Sequence, residues 1–296
     1  MIASVVGYYL ISKGKLQKED LDRFYDEISK VRVKLGTIAV SEKFMTQEQA
    51  DRVNLLQATK DKRFGDIAIE MGYLTEGQLE DILKFQGNPY LAVAQALENM
   101  NIMNVSELDE LMEEFRVENE MSAHSLEDLK SDDVDRALPL FLPADVSDYA
   151  FLAGTALRMI RRCVDNNALP LKAYYVEELP ADNGAMQEME GEVNISTGFA
   201  GKKNSLLPIA IKFGKEEFEE IDMDAMDAIA ELCNCINGLY AAQLSQRQVT
   251  LEMLPPEFSD DMSGFYSDEI LVLPMVVFKQ KVNFIMTIGS NLKIQQ

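Results

Sequence analysis

Residues 34–57 (KLGTIAVSEKFMTQEQADRVNLLQ) and 63–86 (RFGDIAIEMGYLTEGQLEDILKFQ) align without a gap at a spacing of 29. Gly36 falls on Gly65, Ile38 on Ile67, Ala39 on Ala68, Thr46 on Thr75 and Gln57 on Gln86. The register runs back to Gly7, Leu16 and Leu21, and forward, more weakly, to Ala94, Met103 and Leu108. A repeat of this length is one supersecondary unit that cannot bury its apolar side alone. Copies must stack, and the end copies drift where they face water. Each copy reads as a short helix, a tight turn and a longer helix. Thr46 and Thr75 open Thr-x2-Gln capping boxes, and Asn104 with Glu107 does the same in the fourth copy. The spacing predicts an all-α domain of four helical hairpins over residues 1–118.

The stretch RVENEMSAHSLEDLKSDDVDR is dense in Glu, Asp and Ser, the composition of a solvated connector or exposed helix. Residues 119–136 are expected to link the repeats to a second domain over 137–296. With 296 residues there is room for two cores. Asp145 to Val164 carries a helical apolar face (Tyr149, Leu152, Ala156, Met159, Ile160), with Pro170 marking its end. Strand signals follow at 172–176, 193–199 and 207–213, the turn GKKNS joining the last two as a hairpin. After a helix over 224–246, strands are expected at 248–254, 269–278 and 282–288, with Gln280-Lys281 as a hairpin link. Helix then strands, stated twice, predicts an α+β domain with helices on one face of a mostly antiparallel sheet.

The helix over 224–246 has one wet side worth separate attention. Ile229, Leu232, Cys233, Ile236, Leu239 and Tyr240 gather on its apolar face. Asp227, Glu231, Asn234 and Gly238 fall opposite, within a stripe roughly 60° wide. A carboxylate and a carboxamide three positions apart stand side by side on a helix and can act on one object. Glycine inside a helix costs about 1 kcal/mol against alanine, and on an outward face a reason to keep it is close approach by a partner. The alternative is an ordinary amphipathic helix whose solvated side happens to carry these residues.

Charge narrows the partner. Lys plus Arg total 28 against 50 for Asp plus Glu, a formal charge of −22 that repels phosphate backbones and anionic lipid. Neither nucleic acid nor a membrane is expected as the partner. Cys163, Cys233 and Cys235 form no disulfide framework and are read as reduced packing residues of a cytoplasmic protein. The start, MIASVVGYYLISKGK, has neither the basic n-region nor the cleavage site of a secretory leader. His124 is the single histidine, in a polar acidic stretch, so no metal site and no Ser-His-Asp constellation is expected.

Asp227-x3-Glu231-x2-Asn234-x3-Gly238 resembles the signature of the CheC/CheX/FliY family of response-regulator phosphatases, and the order of elements over roughly Leu138 to Lys293, with Gly198 to Gly201 as a Gly-Phe-x-Gly turn, is similar to its CheX branch. The resemblance implies a CheX-like fold that removes phosphate from the aspartyl phosphate of a phosphorylated CheY-type receiver. It implies Asn234 as the residue that holds the attacking water and Glu231 as the partner of the receiver's lysine. Asp227 and Gly238 would support them. Mg²⁺ would come from the receiver, so no cofactor of its own is expected, and a homodimer would fit the branch. CheC-type members carry two such helices; here the first helix offers Asp148, Leu152, Thr155 and Met159 at the equivalent spacing, lacking both Glu and Asn. The alternative from the same family is a non-catalytic adaptor that binds a receiver or motor component.

The repeats, with a Lys/Arg-Leu-Gly start and a Gln finish across 24 residues, look like the N-terminal domains of type II secretion and pilus ATPases (MshEN-like), some of which bind cyclic di-GMP. That likeness implies Lys34, Gly36, Arg63 and Gly65 as residues meeting a cyclic dinucleotide, in a sensing or docking module. Lys34 stands where the family has arginine, and Lys43 where it has the glycine that Gly72 supplies in the other copy.

Overall fold

The computed structural model describes residues 1–57 and 62–295, leaving aside the side chain of residue 147. It divides into two compact units, one over Ile2–Asp133 and one from Val134 onward.

In the first unit, helices pair along the chain: α1 (Ile2–Ser12) with α2 (Leu21–Lys30), α3 (Leu35–Ser41) with α4 (Gln47–Gln57), α5 (Phe64–Glu70) with α6 (Glu76–Lys84), and α7 (Pro89–Asn99) with α8 (Val105–Glu118). The 29-residue period appears in the backbone itself. After the first helix of each pair one residue turns left-handed, at Gly14 (φ 69°), Lys43 (58°), Gly72 (71°) and Asn101 (55°). The position therefore ends a helix, a task glycine or asparagine performs without steric cost and lysine performs under strain. Three residues later come the caps. The Thr75 hydroxyl and Asn104 Oδ1 accept from the N–H groups of Gln78 and Glu107, and Thr46 does the same for Gln49. Gln17 makes no such bond, so the first copy is the degenerate one.

The recurring glycine has a packing cause. A Cβ on Gly7 would lie 2.9 Å from Leu21, and on Gly65 2.6 Å from Leu79; on Gly36 it would lie 3.2 Å from the Phe64 ring, with Ala50 at an ordinary 3.5 Å. Leu21, Ala50 and Leu79 each stand on the second helix fourteen residues on, and at Gly7 and Gly65 the bare backbone lets the two axes close up. The acidic stretch is not featureless: it carries α9 (Ala123–Lys130), whose Leu126 and Leu129 are buried.

The second unit has α10 (Val134–Ala137), α11 (Ser147–Cys163), α12 (Lys203–Gly214) and α13 (Met223–Ser245). Its strands are β1 (Leu169–Pro170), β2 (Tyr174–Pro180), β3 (Asn183–Glu190), β4 (Ile195–Gly201), β5 (Glu252–Met253), β6 (Glu257–Ser259), β7 (Gly264–Val277), β8 (Gln280–Ile288) and β9 (Lys293–Gln295). They form one antiparallel sheet in the order β1-β7-β8-β4-β3-β5; β2 and β9 also pair with β7, and β6 with β3. The chain is α+β.

Gln187, Thr197, Met286 and Leu271 stand in one cross-strand row. Their face meets α13, which packs on β3 and β4. The opposite row continues from Met186 through Gly198 and Ile285 to Val272. Met186, Ile285 and Val272 belong to a second buried cluster with Leu179, Phe265 and Leu292. The sheet curls to enclose it: β3 and β7 are separated by two strands, yet a Cβ on Gly184 would lie 2.5 Å from the Phe265 ring. Only glycine lets that ring close the curl.

Several expectations need correction. Residues 203–214 are helix, not the second arm of a hairpin; Leu206, Ile209 and Ala210 are buried at helical spacing. The alternation of Leu207, Ile209, Ile211 and Phe213 fits either period over so short a run. Gly198 to Gly201 continue strand β4 rather than turn. Helix α11 ends at Cys163, well before Pro170, which lies in β1. The hairpin loop is Phe278-Lys279, both with positive φ (48° and 64°) as a type I′ turn requires, and Gln280 already pairs with Val277. Asp165 accepts from the Phe278 N–H at 2.7 Å and so holds that turn. Strand 248–254 contracts to the two residues of β5, and β3 was not anticipated at all.

Candidate functional site

Helix α13 begins at Asp222, whose carboxylate accepts from the Ala225 N–H at 2.9 Å. Its buried side is Met226, Ile229, Ala230, Leu232, Cys233, Ile236, Asn237 and Tyr240. Leu239, expected inside, is 38% exposed, and Asn237 takes its place in the core at 0%. On the outer side Asp227 and Glu231 are exposed and Asn234 and Gly238 half-buried. A Cβ on Gly238 would find only Met253 Cε at 3.9 Å, so nothing among the described residues requires a glycine there.

The side chains of Glu231 and Asn234 touch: Asn234 Nδ2 donates to Glu231 Oε2 at 3.1 Å. Behind Asn234 lies Gln187 on β3, 2% exposed, whose Nε2 donates to Asn234 Oδ1 at 3.0 Å and to the Leu254 carbonyl at 2.8 Å. Gln187 Oε1 accepts from Asn237 Nδ2 at 2.9 Å, and Asn237 Oδ1 accepts from the Thr197 hydroxyl at 2.9 Å. A file of side chains thus runs from buried strand β4 to the solvent. Each amide nitrogen or oxygen has two sites. With one of each used, Asn234 has one N–H and one lone pair left for whatever faces the helix.

Two thiols flank this row. Burial pushes the Cys233 thiol up to about 12, the chemistry of an inert packing residue. Cys235 is raised as well, by burial and then by the neighbouring Glu231 carboxylate.

Elsewhere, the equivalent positions of α11 face inward: Leu152, Thr155 and Met159 are buried, with only Asp148 exposed. Lys34 and Arg63 are exposed N-cap residues of α3 and α5, and the Lys34 N–H donates to Gln95 Oε1 at 3.1 Å. Gly36 and Gly65 are buried between helices. Among the described residues no cluster of His, Cys, Asp and Glu could hold a metal ion, and no helix is long and apolar enough to cross a membrane. Sequence reasoning missed Gln187, Asn237 and Thr197. The trace they left was a polar residue, Asn237, at helical spacing from Cys233 and Tyr240 on the apolar side.

No curated protein matches the chain. Among solved structures it is similar to a CheC-like superfamily protein from Shewanella sp. PV-4, at 17% identity and a TM-score of 0.44 over 49% of this chain and 98% of that one. It is also similar to the chemotaxis protein CheX from Desulfovibrio desulfuricans, at 16% identity and a TM-score of 0.42 over 48% and 99%. A third is the CheX–CheY–BeF3–Mg²⁺ complex from Borrelia burgdorferi, at 14% identity and a TM-score of 0.37 over 49% and 96%. Residues 184–269, the span from β3 through α13 into β7, match the family model described as Chemotaxis phosphatase CheX.

Proposed function

We propose that the second unit hydrolyses the aspartyl phosphate of a CheY-type receiver, with Asn234 placing the water and Glu231 anchoring the receiver. The observation that carries this is the Glu231–Asn234 pair, in contact at 3.1 Å on the open side of α13, within the span similar to the CheX family. An acyl phosphate is already activated, and its transfer needs geometry and charge more than covalent help. Placement of the nucleophile alone lowers such a barrier by several kcal/mol. A carboxamide suits the position because it offers a donor and an acceptor and stays neutral beside phosphoryl oxygens. The Glu231 carboxylate, one turn away, is matched to a receiver cation. The receiver brings its own Mg²⁺, so this chain has only to dock and to orient.

The test is phosphate release from CheY-type receivers of the same genome, each phosphorylated with acetyl phosphate. The wild-type chain should accelerate release from at least one of them, and Asn234→Ala should not. A wild type that leaves every decay rate unchanged removes the phosphatase reading and leaves the adaptor.

For the helical unit we infer sensing or docking, with exposed Lys34 and Arg63 as the cations open to a cyclic di-GMP phosphate. Titrating cyclic di-GMP into the full chain should release heat that Arg63→Ala abolishes. Silence at high protein concentration would leave the repeats without a nucleotide.

A further inference from the structure

We propose that Gln187 is a positioning residue that sets which way round the Asn234 carboxamide stands; this rests on the receiver-phosphatase reading above. An asparagine amide can occupy its site in two orientations, related by a half-turn, and they present opposite atoms to a ligand. Only one of them can hold a water by its oxygen while leaving an N–H for the phosphoryl group on the correct side. Something must choose, and the hydrogen-bond file makes the choice.

Two groups in the file can only accept. The Leu254 carbonyl is one, so Gln187 must turn its Nε2 toward it at 2.8 Å, and the same nitrogen then faces Asn234 at 3.0 Å. The Glu231 carboxylate is the other, so Asn234 must turn its Nδ2 outward to it at 3.1 Å. Both constraints give the same answer for Asn234: oxygen to Gln187, nitrogen to Glu231. With Nε2 so placed, Gln187 Oε1 points at Asn237, which is obliged to donate, and Thr197 is obliged to donate to Asn237 in turn. Every amide in the file therefore has one orientation. Gln187, Asn237 and Thr197 are all at or below 2% exposure, so water does not compete for these bonds.

The Leu254 link also places the segment after β5. Its N–H donates to the Glu188 carbonyl at 2.9 Å while its carbonyl accepts from Gln187, so β3 holds that residue by both backbone groups. Met253, one residue earlier, is the side chain beside Gly238. Gln187 thus ties together the amide and the rim of the surface a receiver would meet, without itself reaching that surface.

The experiment compares the wild-type chain with Gln187→Met, which keeps length and volume but cannot donate or accept, on an acetyl-phosphate-charged receiver that the wild type dephosphorylates. With Gln187 gone and Glu231 drawn to the docked receiver's lysine, Asn234 has lost both orienting partners and samples both orientations, and kcat should fall about 10- to 100-fold while KM for the receiver, set by Glu231 and the surface, stays within about twofold. In the Asn234→Ala background, which docks without turning over, Gln187→Met should leave affinity for a beryllofluoride-loaded receiver within about twofold, because Gln187 acts through that amide and not through the surface. A residue that merely supports the fold would instead lower kcat and raise KM together, and its loss would weaken docking in the Asn234→Ala background too. If Gln187→Met does not fold, Gln187→Asn carries the same expectation: it keeps a polar amide in the buried site but ends one methylene short of Asn234. Folded variants turning over at the wild-type rate overturn the proposal alone. A wild type inactive on every receiver overturns this proposal and the phosphatase reading together.

Discussion

Gly238 offers a test in which stability and function should move in opposite directions. It sits fifteen residues into α13, half-buried, with Met253 Cε at 3.9 Å as the nearest thing a methyl group would meet. Gly238→Ala therefore removes the entropic cost of a helical glycine without a clash, a gain of about 0.5–1 kcal/mol. In a unit of this size that raises the melting temperature by roughly 1–4 °C. If a receiver's surface comes against bare backbone here, the same methyl group overpacks the contact. Overpacking costs about 1–3 kcal/mol, or roughly 5- to 150-fold in affinity. Gly238→Gln, larger and still a good helix former, should weaken docking more. The assays are thermal melting of the free chain and titration with a beryllofluoride-loaded CheY-type receiver. A lower melting temperature for Gly238→Ala would show that the fold needs this glycine. Wild-type docking and turnover by Gly238→Gln would show that no partner does.

Glu231→Ala should impair docking as well as turnover, whereas Asn234→Ala should spare docking; titration of the beryllofluoride-loaded receiver with both variants separates them, and equal affinity for both refutes the division of roles. Asn234→Ala should also melt within about 1 kcal/mol of the wild type, because Gln187 Nε2 keeps the Leu254 carbonyl. Cys233 makes folding sensitive to alkali. Its thiol is pushed from an ordinary 9.0 to about 12, so above about 9 the unfolded chain ionises and the folded one does not. Stability is then lost as pH rises, by up to about 1.4 kcal/mol per unit. The stability advantage of the wild type over Cys233→Ala should shrink between about pH 8 and pH 10.5 in urea melts, and a constant difference would refute it.

The parts of the fold that could be read from the chain are those where one physical demand dominates. Caps at Thr46, Thr75 and Asn104, and the apolar period of α13, belong to this class. So do β4 and β8, whose β-branched and aromatic residues suit a sheet buried on both faces. Strand β3 could not be read, because Asn183, Gly184, Gln187 and Glu188 are poor strand formers on their own. Two of them are there for a tertiary reason: Gly184 for the Phe265 ring, Gln187 for the amides of α13. Asn183 is different, since both its polar side-chain atoms are buried without a hydrogen-bond partner, and nothing in the structure explains it. The apolar side of α13 was misjudged by one residue for the same kind of reason. Counting hydrophobicity puts Leu239 inside, but Gln187 and Thr197 on the sheet beneath ask for an amide, and Asn237 answers. The outer row of Glu231 and Asn234 was readable as a pattern, while the support that orients it was not, because it depends on a strand that sequence alone did not reveal.

The contacts at Gly7, Gly36 and Gly65 bear on how the helical unit can change in length. Each glycine meets its own hairpin fourteen positions later, and the left-handed residues recur with the same stride. Adding or excising a whole copy would restore every such meeting. A net gain or loss inside a helix that is not close to whole turns swings all that follows by about 100° per residue and turns the small side away from its groove. A complete module is thus the change of length that leaves both the phase and the contacts of the array intact.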